Sequence, residues 1–135
     1  MAASPTQPSV PAPGKAALWT GRILSALPVI AMLLSGTMKF LHPPQVVQGF
    51  TSLGYPESLI LKIAILEVSC AILYAIPQTS VLGAILVTGY LGGAVATHVR
   101  VLDPSFVGGL ILGIIAWLGL YLREPRLRAL TPIRR

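Results

Sequence analysis

Four apolar runs, each close to the length of a membrane crossing, follow one another in this chain with short connections between them. The first covers residues 17–41 and is richest in ILSALPVIAMLL. The second is PESLILKIAILEVSCAILYAI, residues 56–76. The third is SVLGAILVTGYLGGAVATHV, residues 80–99, and the fourth is SFVGGLILGIIAWLGLYL, residues 105–122. A helix needs roughly 20 residues to cross about 30 Å of hydrocarbon. Lipid offers no partner to an open backbone, so each run is expected to be helical. Pro77-Gln78-Thr79 and residues 100–104 leave room only for tight turns, which makes successive helices antiparallel neighbours. The expected fold is all-α, a four-transmembrane-helix antiparallel bundle.

The composition agrees with lipid as the solvent. Of 135 residues 54% are hydrophobic and 10% charged, and the mean hydropathy is +0.78; a water-soluble domain of this size carries more charge. The net charge of +6 and the pI near 10.1 do not point to nucleic acid, because no basic patch is interleaved with aromatics on a soluble face. The basic residues follow topology instead. Seven of them (Lys15, Arg22, Arg123, Arg126, Arg128, Arg134 and Arg135) fall on one side of the bundle, and Lys39, Lys62 and Arg100 fall on the other. Both termini are therefore expected in the cytoplasm, with the bundle in the plasma or inner membrane. Residues 1–16, with Pro5, Pro8, Pro11 and Pro13, read as a disordered tail, and residues 123–135 as a basic cytoplasmic tail. The first run is too long for a signal-peptide core, and LLSGTMKF offers no small-x-small cleavage site. Pro28 inside it is expected to kink the helix. The longer connection of residues 40–55, with Pro43-Pro44 and Gly54-Tyr55-Pro56, is expected to lie on the membrane surface as a partial lid.

The chemistry concentrates on Glu67. It lies ten residues beyond Glu57, about 15 Å along a helix, near the middle of the bilayer. A lone carboxylate there is costly, so it must be paired, hydrated or protonated. Its helical neighbours Ile60, Ile63, Ala64, Cys70, Ala71 and Tyr74 form a face with smaller and more polar groups than the opposite one of Leu61, Ile65, Ile72 and Ile76. Glu67 is thus expected to face inward. Two roles remain open: a polar clamp between helices, or a proton or ligand site. Lys62 is on another face of the same helix and is expected to snorkel outward. Lys39, His98 and Arg100 end their helices on the same outer side, where they would rim a pocket with Glu67 at its floor. Ser35 and Gly36, one turn below Lys39, would let another helix approach. Tyr90 is deep enough to line such a cavity, whereas Trp19 and Tyr121 fit interfacial belts.

Gly89 with Gly93, and Gly109 with Gly113, each form GxxxG and are expected to be helix-packing positions. The single cysteine, Cys70, excludes an internal disulfide and reads as a small buried hydrophobe. No metal-binding spacing is present; His42 lies in a loop with no partner at i+3 or i+4. The absence of a phosphate loop, a nucleophile elbow or HExxH disfavours ATP hydrolysis and serine-type hydrolysis.

The segments SGTMKF, GFTSLGYP, ILEVSCAILYAIP and GAILVTGYLGGAVATHVR, in that order, resemble the DoxX-like family of small four-helix membrane proteins. The resemblance covers residues 35–100 and rests on order and spacing. It implies that Lys39, Glu67 and His98 match the polar positions of the family pattern. The family's name derives from a membrane subunit of a thiosulfate:quinone oxidoreductase, and other members are associated with membrane redox and oxidative-stress systems. The soluble, catalytic type of partner subunit is not in this chain.

Three functions follow as expectations. The first is an auxiliary subunit or scaffold of a membrane redox system, with a redox protein partner and quinone in the bundle. The second is a small intramembrane enzyme in which Glu67 is the catalytic general acid or base for an apolar substrate. The third is a proton-coupled carrier, which with four helices would need a homo-oligomer.

Overall fold

The computed structural model describes residues 9–130, so residues 1–8 of the Pro-rich tail and residues 131–135 lie outside the described residues. Residues 9–14 carry no regular structure, and Lys15 already opens the first helix. Four long helices follow: α1 (Lys15–Leu41), α3 (Ile60–Ala75), α4 (Ser80–Arg100) and α5 (Phe106–Arg123). Two short ones accompany them, α2 (Pro44–Ser52) and α6 (Pro125–Leu130). Each long helix lies within a few residues of its apolar run. The second run opens with a 3₁₀ turn, Glu57–Leu59, before α3, and the Pro77–Thr79 turn is also 3₁₀.

Local chemistry sets the breaks. His42 adopts the left-handed conformation (φ 57°) and its N–H returns to Met38 O, which ends α1. Pro44 begins α2 at a position whose N–H needs no helical partner. Gly54 (φ 81°) then turns the chain toward Tyr55-Pro56 and α3. The connection expected only as a lid is thus a helix and a glycine turn. Pro28 is buried inside a helix that is uninterrupted on either side of it.

The long helices form a ring in which α1 and α4 each pack against both α3 and α5, in antiparallel order. Their closest approaches occur at lone glycines. A Cβ on Gly83 would stand 2.2 Å from the Tyr74 backbone nitrogen, and one on Gly21 would stand 2.8 Å from Gly119 O. The interior is small-residue and partly polar: Ala64, Ala71, Ala84 and Ala116 are buried with Ser25, Glu67 and Ser80. The outside is apolar, for example Ile23, Leu27, Ile30 and Leu34 on α1 and Ile111, Ile114 and Leu118 on α5. No more than 33% of the most apolar stretch of any long helix is buried. Faces this exposed and this apolar have lipid as their solvent. The four helices are long and apolar enough to cross a membrane.

The chain beyond α5 is not a plain tail. α6 folds back so that Leu127 packs on the core, and the Arg128 guanidinium lies 5.5 Å from the Tyr121 ring centre.

Candidate functional site

At the end of the bundle where α1 and α4 finish, a cavity of about 760 Å³ opens between α1, α3 and α4. α2 and the turn after it cover it with Val46, Phe50, Leu53 and Tyr55. Its walls are mostly apolar, including Met38, Ile63, Leu66, Leu91 and Ala94. The polar groups converge from three helices: Ser35 and Lys39 from α1, Glu67 from α3, and Tyr90, Thr97 and His98 from α4.

The centre is an ion pair. Lys39 Nζ lies 2.6 Å from Glu67 Oε2 and also donates to Ser35 Oγ at 2.6 Å. The two charged side chains are 13% and 5% exposed, so the pair is shielded from solvent. Gly36 makes it reachable. A Cβ there would stand 2.5 Å from Val68 Cγ2, so only glycine lets α1 come this close to α3 beside Glu67. Ser35 is one turn before Lys39 on the same face, and its hydroxyl holds the ammonium in place. The Tyr90 hydroxyl faces the Glu67 carboxylate from α4.

The cover is tied down by polar contacts. Tyr55 Oη lies 3.0 Å from Thr97 Oγ1, whose own hydroxyl bonds Gly93 O. The Arg100 guanidinium donates to Leu53 O at the end of α2. His98 Nδ1 lies 2.9 Å from Asp103 Oδ2 in the turn before α5. That turn is outside the spans, and the Asp103 carboxyl is held down to about 2, first by the Ser105 N–H, then by the Ser105 side chain and by His98. His42 Nε2 lies 3.2 Å from Glu57 Oε1 on the outer surface. Among the described residues no three His, Cys, Asp or Glu side chains gather as a metal site would require.

The model of the DoxX-like family matches residues 23–120, from the first turns of α1 to near the end of α5. The chain belongs to the DoxX-like family. The match contains every residue lining the cavity and extends beyond the segments that carried the resemblance. No curated protein matches the chain, and no solved structure does. With four membrane-crossing helices, this DoxX-like chain is a multi-pass integral membrane protein in contact with the lipid bilayer.

Within the DoxX-like bundle, Lys39, Glu67, Tyr90 and His98 share one cavity. Arg100 does not itself border the cavity; its guanidinium donates to Leu53 O and so holds the cover that does. A Cβ on Gly109 would stand 3.2 Å from Val95 Cγ2 of α4, and one on Gly113 would stand 3.9 Å from Leu91 Cδ1. Gly89 and Gly93 do not pack helices within the chain. A Cβ on either would meet nothing within 4 Å, because both border the cavity. Sequence reasoning overlooked Tyr55, Thr97 and Ser35 as polar members of the site. Ser35 and Lys39 at i and i+4 carried a signal; Tyr55 and Thr97, 42 residues apart, carried none.

Proposed function

We propose that this DoxX-like protein is the ligand-binding membrane subunit of a quinone-linked redox system, and that its cavity takes an apolar molecule with a polar ring. The observation that carries this reading is the 2.6 Å Lys39–Glu67 pair at the inner end of a large, apolar cavity. Pockets of roughly 300–1,000 Å³ with apolar walls and a few convergent polar groups are the usual form of small-molecule sites. The Lys39 ammonium keeps a third N–H beyond those given to Ser35 and Glu67, suited to a ring carbonyl oxygen, and the Glu67 carboxylate accepts from a ring hydroxyl. The same set would therefore hold either form of a quinone–quinol pair. A soluble redox partner would supply or remove electrons. The basic end, with Arg123 and Arg126, faces the cytoplasm in this reading.

The test is photocrosslinking with an azido-quinone in native-lipid nanodiscs, mapped by peptide mass spectrometry. Labelling on Leu53, Tyr90 or Ala94, competed by excess unlabelled quinone, supports the reading. Uniform labelling of lipid-facing residues, or none, refutes it.

A second reading uses the same geometry. Because Glu67 opens onto the cavity, it could transfer protons to an apolar substrate as a small intramembrane enzyme would require. Glu67→Gln distinguishes the two. Loss of turnover with retained ligand binding favours the enzyme; loss of binding favours the subunit.

A further inference from the structure

The opposite end of the bundle holds a second, smaller cavity of about 250 Å³ that the quinone reading does not use. It lies between α1 and the ends of α3 and α5, bordered by Arg22, Ser25, Val29, Tyr74 and Arg123. The helix crossing explains why two arginines meet there. Gly21 and Gly119 bring α1 and α5 into backbone contact, and a Cβ on Gly21 would also stand 2.9 Å from the Arg123 nitrogen. The crossing places Arg22 of α1 beside the same cleft as Arg123.

Among the described residues both cations lack an anionic partner. The chain contains four acids. Glu67 is taken by Lys39, Glu57 by His42 and Asp103 by His98, while the Glu124 carboxylate accepts the Arg126 backbone N–H at 3.2 Å. Among the described residues no carboxylate pairs with Arg22 or Arg123. Arg123 instead lies 5.4 Å above the Tyr74 ring, makes a long 3.4 Å contact with Tyr74 O, and buries its Nε without a hydrogen-bond partner. A buried guanidinium nitrogen with no acceptor is costly unless something supplies one. The height is that of lipid headgroups: Arg123 ends α5, and Arg22 lies 5.2 Å over the exposed ring of Trp19.

We infer that the Arg22–Arg123 cleft binds the phosphate of an anionic phospholipid. The phosphate oxygens would accept from the Arg22 and Arg123 guanidinium groups that border the cleft, with the Ser25 end of the cleft below. The acyl chains would run down the exposed α1 face along Ile23, Leu27 and Ile30.

The experiment is native mass spectrometry of the full chain released from nanodiscs of phosphatidylglycerol and phosphatidylcholine in equal amounts. Wild type should retain phosphatidylglycerol preferentially. Arg22→Gln, on an exposed face, should reduce that preference about fivefold, and Arg22→Gln/Arg123→Gln by more than tenfold. Arg126→Gln removes the same charge outside the cleft and should leave the preference unchanged. Arg123→Lys, which keeps the charge but not the fork, covers the case in which Arg123→Gln fails to fold, and should fall between wild type and the double variant. Equal losses in Arg126→Gln and Arg22→Gln would overturn the inference, as would the absence of a phosphatidylglycerol preference. Displacement of the lipid by millimolar inorganic phosphate would overturn the lipid assignment in favour of free phosphate.

Discussion

Breaking the Lys39–Glu67 pair from one side should be far worse than removing it whole. Lys39→Met strands a carboxylate that is 5% exposed, and Glu67→Leu strands an ammonium that is 13% exposed with only Ser35 Oγ to hold it. Removing one partner of a buried pair costs about 3–5 kcal/mol, because the remaining charge is uncompensated. Replacing both by apolar side chains of similar volume removes the desolvation penalty together with the attraction, so the double variant should lie within about 1 kcal/mol of wild type. The coupling energy from the double-mutant cycle is then about 5 kcal/mol or more. The assay is reversible unfolding by steric trapping in bicelles, with all four proteins at one pH. Single variants costing less than about 1 kcal/mol, or a double variant whose cost is the sum of the singles, would refute the reasoning. The double variant also separates roles: it should be stable yet unable to hold a quinone, because it lacks the polar end of the cavity.

The two classes of glycine should behave oppositely. Gly83→Ala forces a Cβ into the Tyr74 backbone and should destabilise by about 1–3 kcal/mol or more in the same unfolding assay. Gly89→Leu points into open cavity and should leave stability within about 1 kcal/mol while abolishing quinone crosslinking; loss of folding instead would mean the cavity is closed. Arg100→Ala releases Leu53 O from its donor and should speed ligand exchange in stopped-flow binding with little change in fold. Asp103 titrates below its ordinary value of 3.8, down to about 2, so its contribution is full above about pH 4 and is lost as pH falls toward about 2. Asp103→Asn should remove that acid dependence from the stability–pH curve, and an unchanged acid limb would refute the assignment.

The bundle was legible because each span is written as one continuous apolar run, and lipid leaves such a run no alternative to a helix. The inward turn of Glu67 was legible for the same reason: a carboxylate among Ile and Leu has one tolerable direction. What the sequence withheld depends on pairs distant in the chain. Lys39 and Glu67 are 28 residues apart; Gly36 was legible as a point of close helix approach, but not that the helix meeting it is the one that carries Glu67. At Gly89 and Gly93 the GxxxG does not mark a crossing within the chain, because the spacing marks a smooth helix face but not whether that face meets a helix of the bundle or a cavity. The tight crossings rest on Gly21, Gly36, Gly83 and Gly119, and all four stand outside any GxxxG. α2 was obscured by Pro43-Pro44, which read as a break although Pro44 is a fitting first residue of a helix. Arg100 was placed on the pocket rim by its position in the chain, and its long side chain reaches the rim only indirectly, through Leu53 O of the cover.

The most direct test of the ligand cavity is native mass spectrometry of the protein released from its own membranes, comparing wild type with the stable Lys39→Met/Glu67→Leu variant. A quinone bound to wild type and missing from the variant is the predicted result. Wild type without a quinone, or the same quinone retained by both proteins, would contradict the account.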